Sequence, residues 1–382
     1  MRPWPRPCHD GAALDATPMF NALPAAALIA LFAGAAVVIW LAGVQLSSAT
    51  DALSTRYHLG QALGGAILLA VATNLPEIAI TVSAALSHAL GIAIGNILGG
   101  IAIQTLVLVI LDARTATPLT SRTTTLEPVL EGVLVIAVLT AAIMGSQAPA
   151  SLTVLHVTPA SALIAVLWVG GVALLGRARS GLPWTLHDAD DEKTGAARAE
   201  RASGRRDTAG KPAKGVIAAQ DEKKIARPLL IFAVGAVATL IAGVVLEESG
   251  TVLAGRVGLS GVLFGATVLA AATSLPELAT GLASVTLGDN ELAISDIFGG
   301  NAFLPVLFLA ADLLSGQAVL SQAQHSDIYL AALGILLTTV YLGGLLFRPR
   351  RQVLRLGVDS VAVLVLYALG VAGLFAIASG SG

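Results

Sequence analysis

Long apolar stretches separated by short polar segments dominate the hydrophobic pattern of the chain. Windows of about 20 apolar residues, each long enough to cross roughly 30 Å of hydrocarbon as a helix, follow one another. The ten windows run roughly over residues 24–45, 60–88, 92–112, 126–145, 154–176, 227–246, 257–287, 291–315, 327–347 and 356–378. They lack the short alternating segments of a membrane β-barrel. The pattern therefore predicts an all-α polytopic membrane protein with about ten transmembrane helices.

Composition agrees with this class. Of 382 residues, 55% are hydrophobic and 12% are charged, whereas about a quarter of an average soluble chain is charged. A net charge of −2 provides no basic surface for nucleic acid. The single cysteine, Cys8, excludes an intrachain disulfide framework. We therefore expect the lipid bilayer as the partner and no nucleic acid, while the oligomeric state stays open.

Polar segments divide the chain into four predicted parts. These are an extracytoplasmic tail over 1–23, a first membrane repeat of five spans over 24–176, a flexible loop over 177–226 and a second membrane repeat of five spans over 227–382. Nineteen of the 22 Lys and Arg residues fall on one side of this arrangement. Because positive residues favour the cytoplasmic side, we expect a multi-pass protein of the cell (inner) membrane, with both termini extracytoplasmic and the loop cytoplasmic.

An internal repeat with an offset of 200 residues runs through the chain. The sequence T-N-L-P-E at 73–77 aligns with T-S-L-P-E at 273–277, and the alignment continues without a gap to Asp112 and Asp312. The two copies lie five spans apart, so the second copy crosses the membrane in the opposite direction. Inverted repeats of this kind are typical of secondary transporters, which bind their substrate near the midplane where the halves meet.

Each copy contains a proline within an apolar span. Pro76 and Pro276 remove one backbone hydrogen bond each and free the carbonyl groups of Ala72 and Ala272. A freed carbonyl in a bilayer needs a partner. Since hard cations prefer oxygen ligands, the interruptions predict a cation site.

Side-chain oxygens surround each proline. A threonine and a glutamate four residues apart share one helix face in both copies. The full set is Thr73, Asn74 and Glu77 in the first copy, and Thr273, Ser274 and Glu277 in the second. A charged carboxylate near the bilayer centre costs at least about 2.5 kcal/mol, and no Lys or Arg lies in the four repeat helices. We predict bound cations or protons as the counter-charge; the alternative is two protonated glutamates that hydrogen-bond neighbouring helices.

The second helix of each copy carries a glycine pair and a polar residue. Gly99-Gly100 and Gly299-Gly300 are expected to let helix backbones approach closely. The polar residues are Asn96 and Asp296, which we expect to take part in ion binding, with a structural hydrogen bond as the alternative for Asp296. The remaining acids at predicted helix ends are expected to be solvated; they are Glu247, Glu248, Asp289, Glu291, Asp327 and Asp359.

These motifs resemble the cation/calcium exchanger (CaCA) superfamily, which includes the sodium/calcium exchangers. The resemblance rests on 73–77 followed by G-N-x-x-G-G at 95–100, and on 273–277 followed by F-G-G-N at 298–301. It implies two α-repeats and alternating access, in which the first and sixth helices slide across a fixed core. It also implies that Glu77 and Glu277 are the central ion ligands, with the neighbouring Thr, Asn and Ser residues beside them.

The chain departs from the superfamily pattern in the second helix of each repeat. The usual Gly-Ser-Asn is replaced by glycine pairs, and a further Asn or Asp ligand is replaced by Gln104 and Leu304. Two glutamates neutralise one Ca²⁺, two Na⁺ or two H⁺, so a third Na⁺ needs another acid. Asp296 lies on roughly the same helix face as Leu304 and is the candidate.

The predicted function is a secondary antiporter that exports Ca²⁺ or a similar divalent cation in exchange for Na⁺ or H⁺. No enzymatic activity and no cofactor are expected beyond the transported ions, and the H-E-x-x-H motif of a metalloprotease is absent from the sequence. Two alternatives remain: a ten-helix exporter of organic solutes, and a non-transporting cation sensor descended from an exchanger.

Overall fold

The chain folds into packed α-helices. The computed structural model describes residues 17–57, 70–123, 125–179, 218–259 and 261–380. Helices in these ranges are α1 Thr17–Asn21, α2 Ala25–Tyr57, α3 over 70–73, α4 Leu75–Leu86, α5 Leu90–Asp112, α6 Glu127–Ser146, α7 Pro159–Arg179, α8 Ala218–Val257, α9 Gly261–Phe264, α10 Ala270–Thr273, α11 Leu275–Leu287, α12 Asn290–Phe303, α13 Leu307–Ser315, α14 His325–Phe347 and α15 Val358–Gly380.

Short irregular segments connect these helices. A π-helical turn over Gly265–Leu269 joins α9 to α10, and a 3₁₀ turn over Leu304–Val306 joins α12 to α13. Strands β1 Gln352–Val353 and β2 Leu356–Gly357 form an antiparallel hairpin before α15.

The helices fit a membrane-spanning fold. Among the described residues, eight helices are long and apolar enough to cross a bilayer, and the pair Gly265–Thr273 and Leu275–Leu287, bent by 47°, can form a ninth span. The second predicted span begins outside the described residues, and its described part, 70–86, is helical with one break. The sixth span begins at Arg227 as predicted and extends to Val257, within a helix that begins at Ala218. Most of the predicted loop and of the N-terminal tail lies outside the described ranges.

The two broken helices are interrupted at matching positions. Asn74 and Ser274 leave helical geometry, with ψ angles of 14° and 6°. Pro76 and Pro276 then lie in the first turn of a new helix, where a missing N–H costs little. Each proline therefore starts a half-helix rather than kinking a continuous one.

Helix α5 forms the centre of the molecule and is buried along most of its length. It packs against α14 and against the π-helical turn. A Cβ atom on Gly99 would lie 2.3 Å from the Cα of Ala266. Only glycine permits this backbone approach, which holds the second repeat against the central helix of the first.

The two longest helices, α2 and α8, pack against each other and against the broken helices. Gly43 of α2 lies on Pro276, where an added Cβ would be 2.6 Å from the proline Cβ. Gly243 of α8 lies on α4, where its Cβ would be 2.9 Å from Ala79 and 3.2 Å from the Pro76 carbonyl oxygen. The first helix of each repeat therefore rests on the proline of the other repeat.

Asp112 and Asp312 form a second pair of matching contacts between the repeats. Asp112 accepts hydrogen bonds from the backbone N–H groups of Leu119 and Gly357, both at 2.6 Å. Asp312 accepts from Val319 at 2.9 Å and from Thr158 at 3.1 Å. Each aspartate thus closes the loop after its own helix and ties down the start of the last helix of the opposite repeat.

Four acids that were predicted to be solvated are buried, so that prediction is wrong for them: Glu247, Glu248, Asp327 and Asp359. Asp327 accepts from the Gln324 backbone N–H at 2.7 Å, and Asp359 accepts from the Thr120 hydroxyl at 2.7 Å. Asp327 is bonded at the start of its own helix, Asp359 is bonded from a loop distant in the sequence, and Glu247 and Glu248 lie inside α8, which extends to Val257. The position of an acid at the end of an apolar run does not reveal these surroundings.

Replacing Gly43 with alanine is expected to lower the free energy of unfolding. The new methyl group would meet the rigid ring of Pro276, and overpacking of this kind costs about 1–3 kcal/mol. Thermal unfolding of the detergent-solubilised protein measures the effect. Gly34→Ala on the same helix is the matched control, because its methyl group would meet nothing within 4 Å. Equal losses in both variants would contradict the Gly43–Pro276 contact.

Asp312→Asn is expected to destabilise the protein by about 2–3 kcal/mol. Both oxygens of Asp312 accept hydrogen bonds, so an amide nitrogen in either position leaves buried donors unpaired. Asp289→Asn is the control, since Asp289 is exposed and caps Leu292 with a single bond, which asparagine caps equally well. A thermal midpoint that is unchanged in Asp312→Asn would show that the bonds contribute nothing.

Candidate ion-binding site

The two helix breaks bring the predicted oxygen ligands into one buried region. All six residues of the two motifs are at most 2% exposed; they are Thr73, Asn74, Glu77, Thr273, Ser274 and Glu277. Glu77 and Glu277 each lie in the first turn of a half-helix. The amino-terminal end of a helix favours negative charge, so the breaks present two positive helix ends to the two carboxyl groups.

Side chains at the breaks cap the ends of the preceding helices. The Ala70 carbonyl accepts from the Asn74 side-chain nitrogen at 2.6 Å and from the Thr73 hydroxyl at 3.3 Å. The Ala270 carbonyl accepts from the Ser274 hydroxyl at 2.8 Å and from the Thr273 hydroxyl at 3.2 Å. The hydroxyl oxygens of these residues and the amide oxygen of Asn74 have lone pairs that can bind a cation. Ala72 and Ala272 remain predicted ligands.

The two carboxyl groups accept few hydrogen bonds from the described residues. Neither oxygen of Glu77 accepts a hydrogen bond of normal geometry from the described residues, and the same holds for Oε2 of Glu277. The hydroxyl of Thr273 faces Glu77, and that of Thr73 faces Glu277. The charged neighbours acting on Glu277 are Glu77 and Asp296, both acidic. A buried acidic cluster of this kind is suited to a positive ion or to protons.

Gln104 joins the two repeats at the site, although the sequence assigned it no role. Its side-chain nitrogen lies 3.4 Å from both the Asn74 side-chain oxygen and Glu277 Oε1. The signal was a polar residue inside the apolar α5, one turn after Gly100. Its partners could not be found from the sequence, because they come from both halves of the chain.

The glycine pairs shape the space around the site. A Cβ on Gly300 would lie 2.8 Å from the Asn74 side-chain nitrogen, and one on Gly100 would lie 3.5 Å from Leu304. Gly299 has more room, with Ala70 at 4.0 Å. Gly300 thus makes space for the amide of Asn74. The buried, apolar Leu304 occupies the position at which the superfamily has a further Asn or Asp ligand.

Asp296 lies beside the site. It is buried and accepts a hydrogen bond of 2.5 Å from the Thr280 hydroxyl, which also contacts the Glu277 backbone carbonyl at 3.1 Å. Thr280, three residues after Glu277, is a second residue that sequence reasoning missed. Thr280 and Asp296 therefore form a polar extension of the site on the second-repeat side.

Asn96 and Asn301 are buried in matching helices but differ in their contacts. Asn301 donates to the Thr105 hydroxyl at 3.3 Å and to the Ile101 carbonyl at 3.5 Å, so it links α12 to α5. Asn96 makes no side-chain hydrogen bond within the described ranges. The structure therefore does not join Asn96 to the two glutamates.

The described residues contain no group of three or more His, Cys, Asp or Glu residues arranged to hold a metal ion. A cation at this site would be coordinated by two carboxyl groups together with neutral hydroxyl, amide and carbonyl oxygens. Hard cations such as Ca²⁺ and Na⁺ bind to mixed oxygen ligands of this type.

Comparison with known proteins agrees with this architecture. The chain is 24% identical over 300 residues to the inner membrane protein YrbG of Escherichia coli (strain K12), covering 78% of this chain and 83% of that protein. Its structure is similar to the crystal structure of the H⁺/Ca²⁺ exchanger CAX, with a TM-score of 0.63, 11% identity, and coverage of 95% of this chain and 88% of that one.

A second structural similarity is to the sodium-calcium exchanger NCX_Mj. The TM-score is 0.56 and the identity 14%, with coverage of 91% of this chain and 99% of that one. These similarities confirm the predicted all-α fold of about ten membrane helices. The sequence pattern of the family described as sodium/calcium exchanger protein matches residues 27–176 and 227–376. The chain therefore belongs to the sodium/calcium exchanger protein family.

Proposed function

We propose that the protein exports Ca²⁺, or a similar divalent cation, in exchange for Na⁺ or H⁺. The observation that carries the proposal is the pair of fully buried glutamates, one from each repeat, with acidic rather than basic charged neighbours. A carboxylate inside the membrane requires a counter-charge. Exchangeable cations and protons supply it in turn, because the pair can hold one Ca²⁺, two Na⁺ or two H⁺.

Glu77 and Glu277 are the proposed central ligands of the transported ion. Oxygens of Thr73, Asn74, Thr273 and Ser274 complete the coordination, together with backbone carbonyls at the breaks, for which Ala72 and Ala272 are the candidates. Gln104, held between Asn74 and Glu277, orients both groups. The transported ions are substrates and not resident cofactors, and the proposal includes no enzymatic step.

Alternating access is the proposed mode of transport. Both glutamates are sealed from solvent in this conformation. The long helices α2 and α8 cover the broken helices through Gly43 on Pro276 and Gly243 on Ala79 and Pro76. Movement of α2 and α8 across these glycine contacts would uncover the site first on one side of the membrane and then on the other.

Ca²⁺ is the first choice of divalent cation. The similar structures are named as a H⁺/Ca²⁺ exchanger and a sodium-calcium exchanger, and a site of carboxyl and neutral oxygens suits Ca²⁺. The coupling ion differs between these two proteins. Asp296 is proposed as the third negative charge where the cycle moves more than two positive charges.

Glu77→Gln and Glu277→Gln are each expected to abolish exchange, since one remaining carboxyl group cannot neutralise a divalent cation. Uptake of Ca²⁺ into proteoliposomes, with the Na⁺ and H⁺ gradients imposed separately, measures the exchange and identifies the coupling ion. Glu291→Gln is the matched control, because Glu291 lies at the start of α12 and its Oε1 contact to Thr125 is available to glutamine.

The outcomes separate the proposal from its two alternatives. Ca²⁺ uptake that ignores both gradients and survives the double Glu→Gln change would refute the antiporter. Transport of an organic solute with no cation requirement would indicate the solute exporter. Saturable Ca²⁺ binding without flux would indicate a sensor.

Asp296→Asn is expected to raise, by about tenfold, the concentration of the coupling ion that gives half-maximal flux. The change keeps an oxygen for Thr280 but removes one negative charge near Glu277, where a charge interaction is worth on the order of 1–2 kcal/mol. The concentration dependence of flux on Na⁺ and on H⁺ measures it. Thr280→Val removes the hydrogen bond and keeps the charge, so a larger loss in Thr280→Val than in Asp296→Asn would contradict the electrostatic role.

A further inference from the structure

Glu247 is a buried acid that the proposed ion site does not use. It lies in α8, is 3% exposed, and accepts a hydrogen bond of 3.2 Å from the Ser83 hydroxyl of α4. Its other oxygen lies 3.4 Å from the Thr251 hydroxyl, one turn further along α8. The adjacent Glu248 is also buried. An acid within a membrane span is costly, and acids kept there usually have a function.

The position of this hydrogen bond in the fold points to that role. Gly243 of α8 lies on Pro76 and Ala79 of α4, and the Glu247–Ser83 contact follows one turn later on α8. Glu247 follows Gly243 by four residues and Ser83 follows Ala79 by four residues, so α4 and α8 run in the same direction. That direction is from the ion site toward the membrane face at which α4 ends. The hydrogen bond therefore closes the interface between α4 and α8 on that side of the site.

The internal repeat gives no counterpart of this bond. The glycine–proline contact occurs in both halves, as Gly243 with Pro76 and as Gly43 with Pro276. At the positions that correspond to Glu247 and Ser83, the sequence has Ser47 and Ala283. An alanine has no polar side chain, so the pair 47 and 283 cannot form an equivalent side-chain bond. The two halves are alike at the midplane and differ one turn away from it.

We propose that Glu247 and Ser83 form a one-sided latch that holds α8 against α4. This inference rests on the proposed alternating-access exchange. The latch stabilises the closed state of the side where α4 ends, whereas the opposite side, bounded by α2 and α11, lacks it. Glu247 is therefore a positioning residue: it does not touch the transported ion, and it sets which side of the resting protein opens more readily.

A carboxyl group suits this task for a physical reason. Its two oxygens contact Ser83 of α4 and Thr251 of α8, so the group is held in place for the bond between the helices. Glu247 is also buried in the interface between α4 and α8, which limits competition from water. Separating the two helices exposes an acid with no other partner on α4, so opening on this side has an additional cost.

Accessibility of a single cysteine tests the latch. The chain has one cysteine, so Cys8→Ser gives a cysteine-free background. Ala84→Cys places a reporter on α4 at a fully buried position of the apolar cluster that includes Leu246 of α8. The rate of reaction with a membrane-impermeant thiol reagent, added to either face of reconstituted vesicles, then reports opening of this interface.

Loss of the hydrogen bond is expected to raise the reaction rate from one face. Ser83→Ala and Glu247→Leu should each increase it about tenfold from the face where α4 ends, and leave the opposite face unchanged, because a bond to a carboxyl group typically contributes that much to an equilibrium. Glu247→Gln should keep the parent rate, since its amide oxygen still accepts from Ser83.

Ser87→Ala is the matched control. Ser87 lies just after α4, and its bonds within the described part of the chain go to the backbone of that helix, at Ser83 and Ala84. Parent rates in both Ser83→Ala and Glu247→Leu, or equal increases from both faces, would overturn the latch. Should Glu247→Leu fail to fold, Ser83→Ala alone decides, because it removes only one oxygen atom.

The same vesicles separate failure of the latch from failure of the proposed function. Ca²⁺ flux in the reporter background tests exchange, while thiol labelling measures opening whether or not ions move. One-sided labelling changes in a protein that shows no flux would support the latch and refute the antiporter. Normal exchange with unchanged labelling would refute the latch alone.

Discussion

Two carboxyl groups inside a membrane protein, without a basic partner among their charged neighbours, are the constraint around which the rest of the structure is arranged. Glu77 and Glu277 are buried completely, and the bilayer makes their negative charge expensive. The broken helices reduce this cost by directing two amino-terminal helix ends at the carboxyl groups. The negative charge that remains uncompensated can be neutralised by mobile cations or protons.

The repeats hold this site together by exchanging contacts. Each long helix rests on the broken helix of the other half, through Gly43 on Pro276 and through Gly243 on Ala79 and Pro76. Asp112 and Asp312 similarly tie the last helix of the opposite repeat to the loop after their own helix. Neither half can therefore present its glutamate without the other. The site is a property of the interface between the repeats.

The proline breaks and the glutamates are alike in the two halves, whereas the helices around them differ. Gly99 and Gly299 occupy equivalent positions, yet Gly99 is in close backbone contact with Ala266 while Gly299 has space around it. Asp296 replaces the amide of Asn96, and Glu247 replaces Ser47. A transporter must bind the same ion from both sides but respond differently to the two compartments. Differences of this kind are where such a bias can arise without changing the ion ligands.

The sequence alone determined the membrane class, the all-α fold and the duplicated T-[NS]-L-P-E motif, because apolar run length and an exact offset of 200 residues are properties of the linear chain. The tertiary structure decided which groups meet. Gln104 bridges residues 30 and 173 positions away, and Glu247, which was expected to be solvated, is buried beside Ser83. Contacts of this kind depend on how inverted halves interlock. Periodicity along one helix shows which faces are apolar, but it does not show which residue of a distant helix will lie against them.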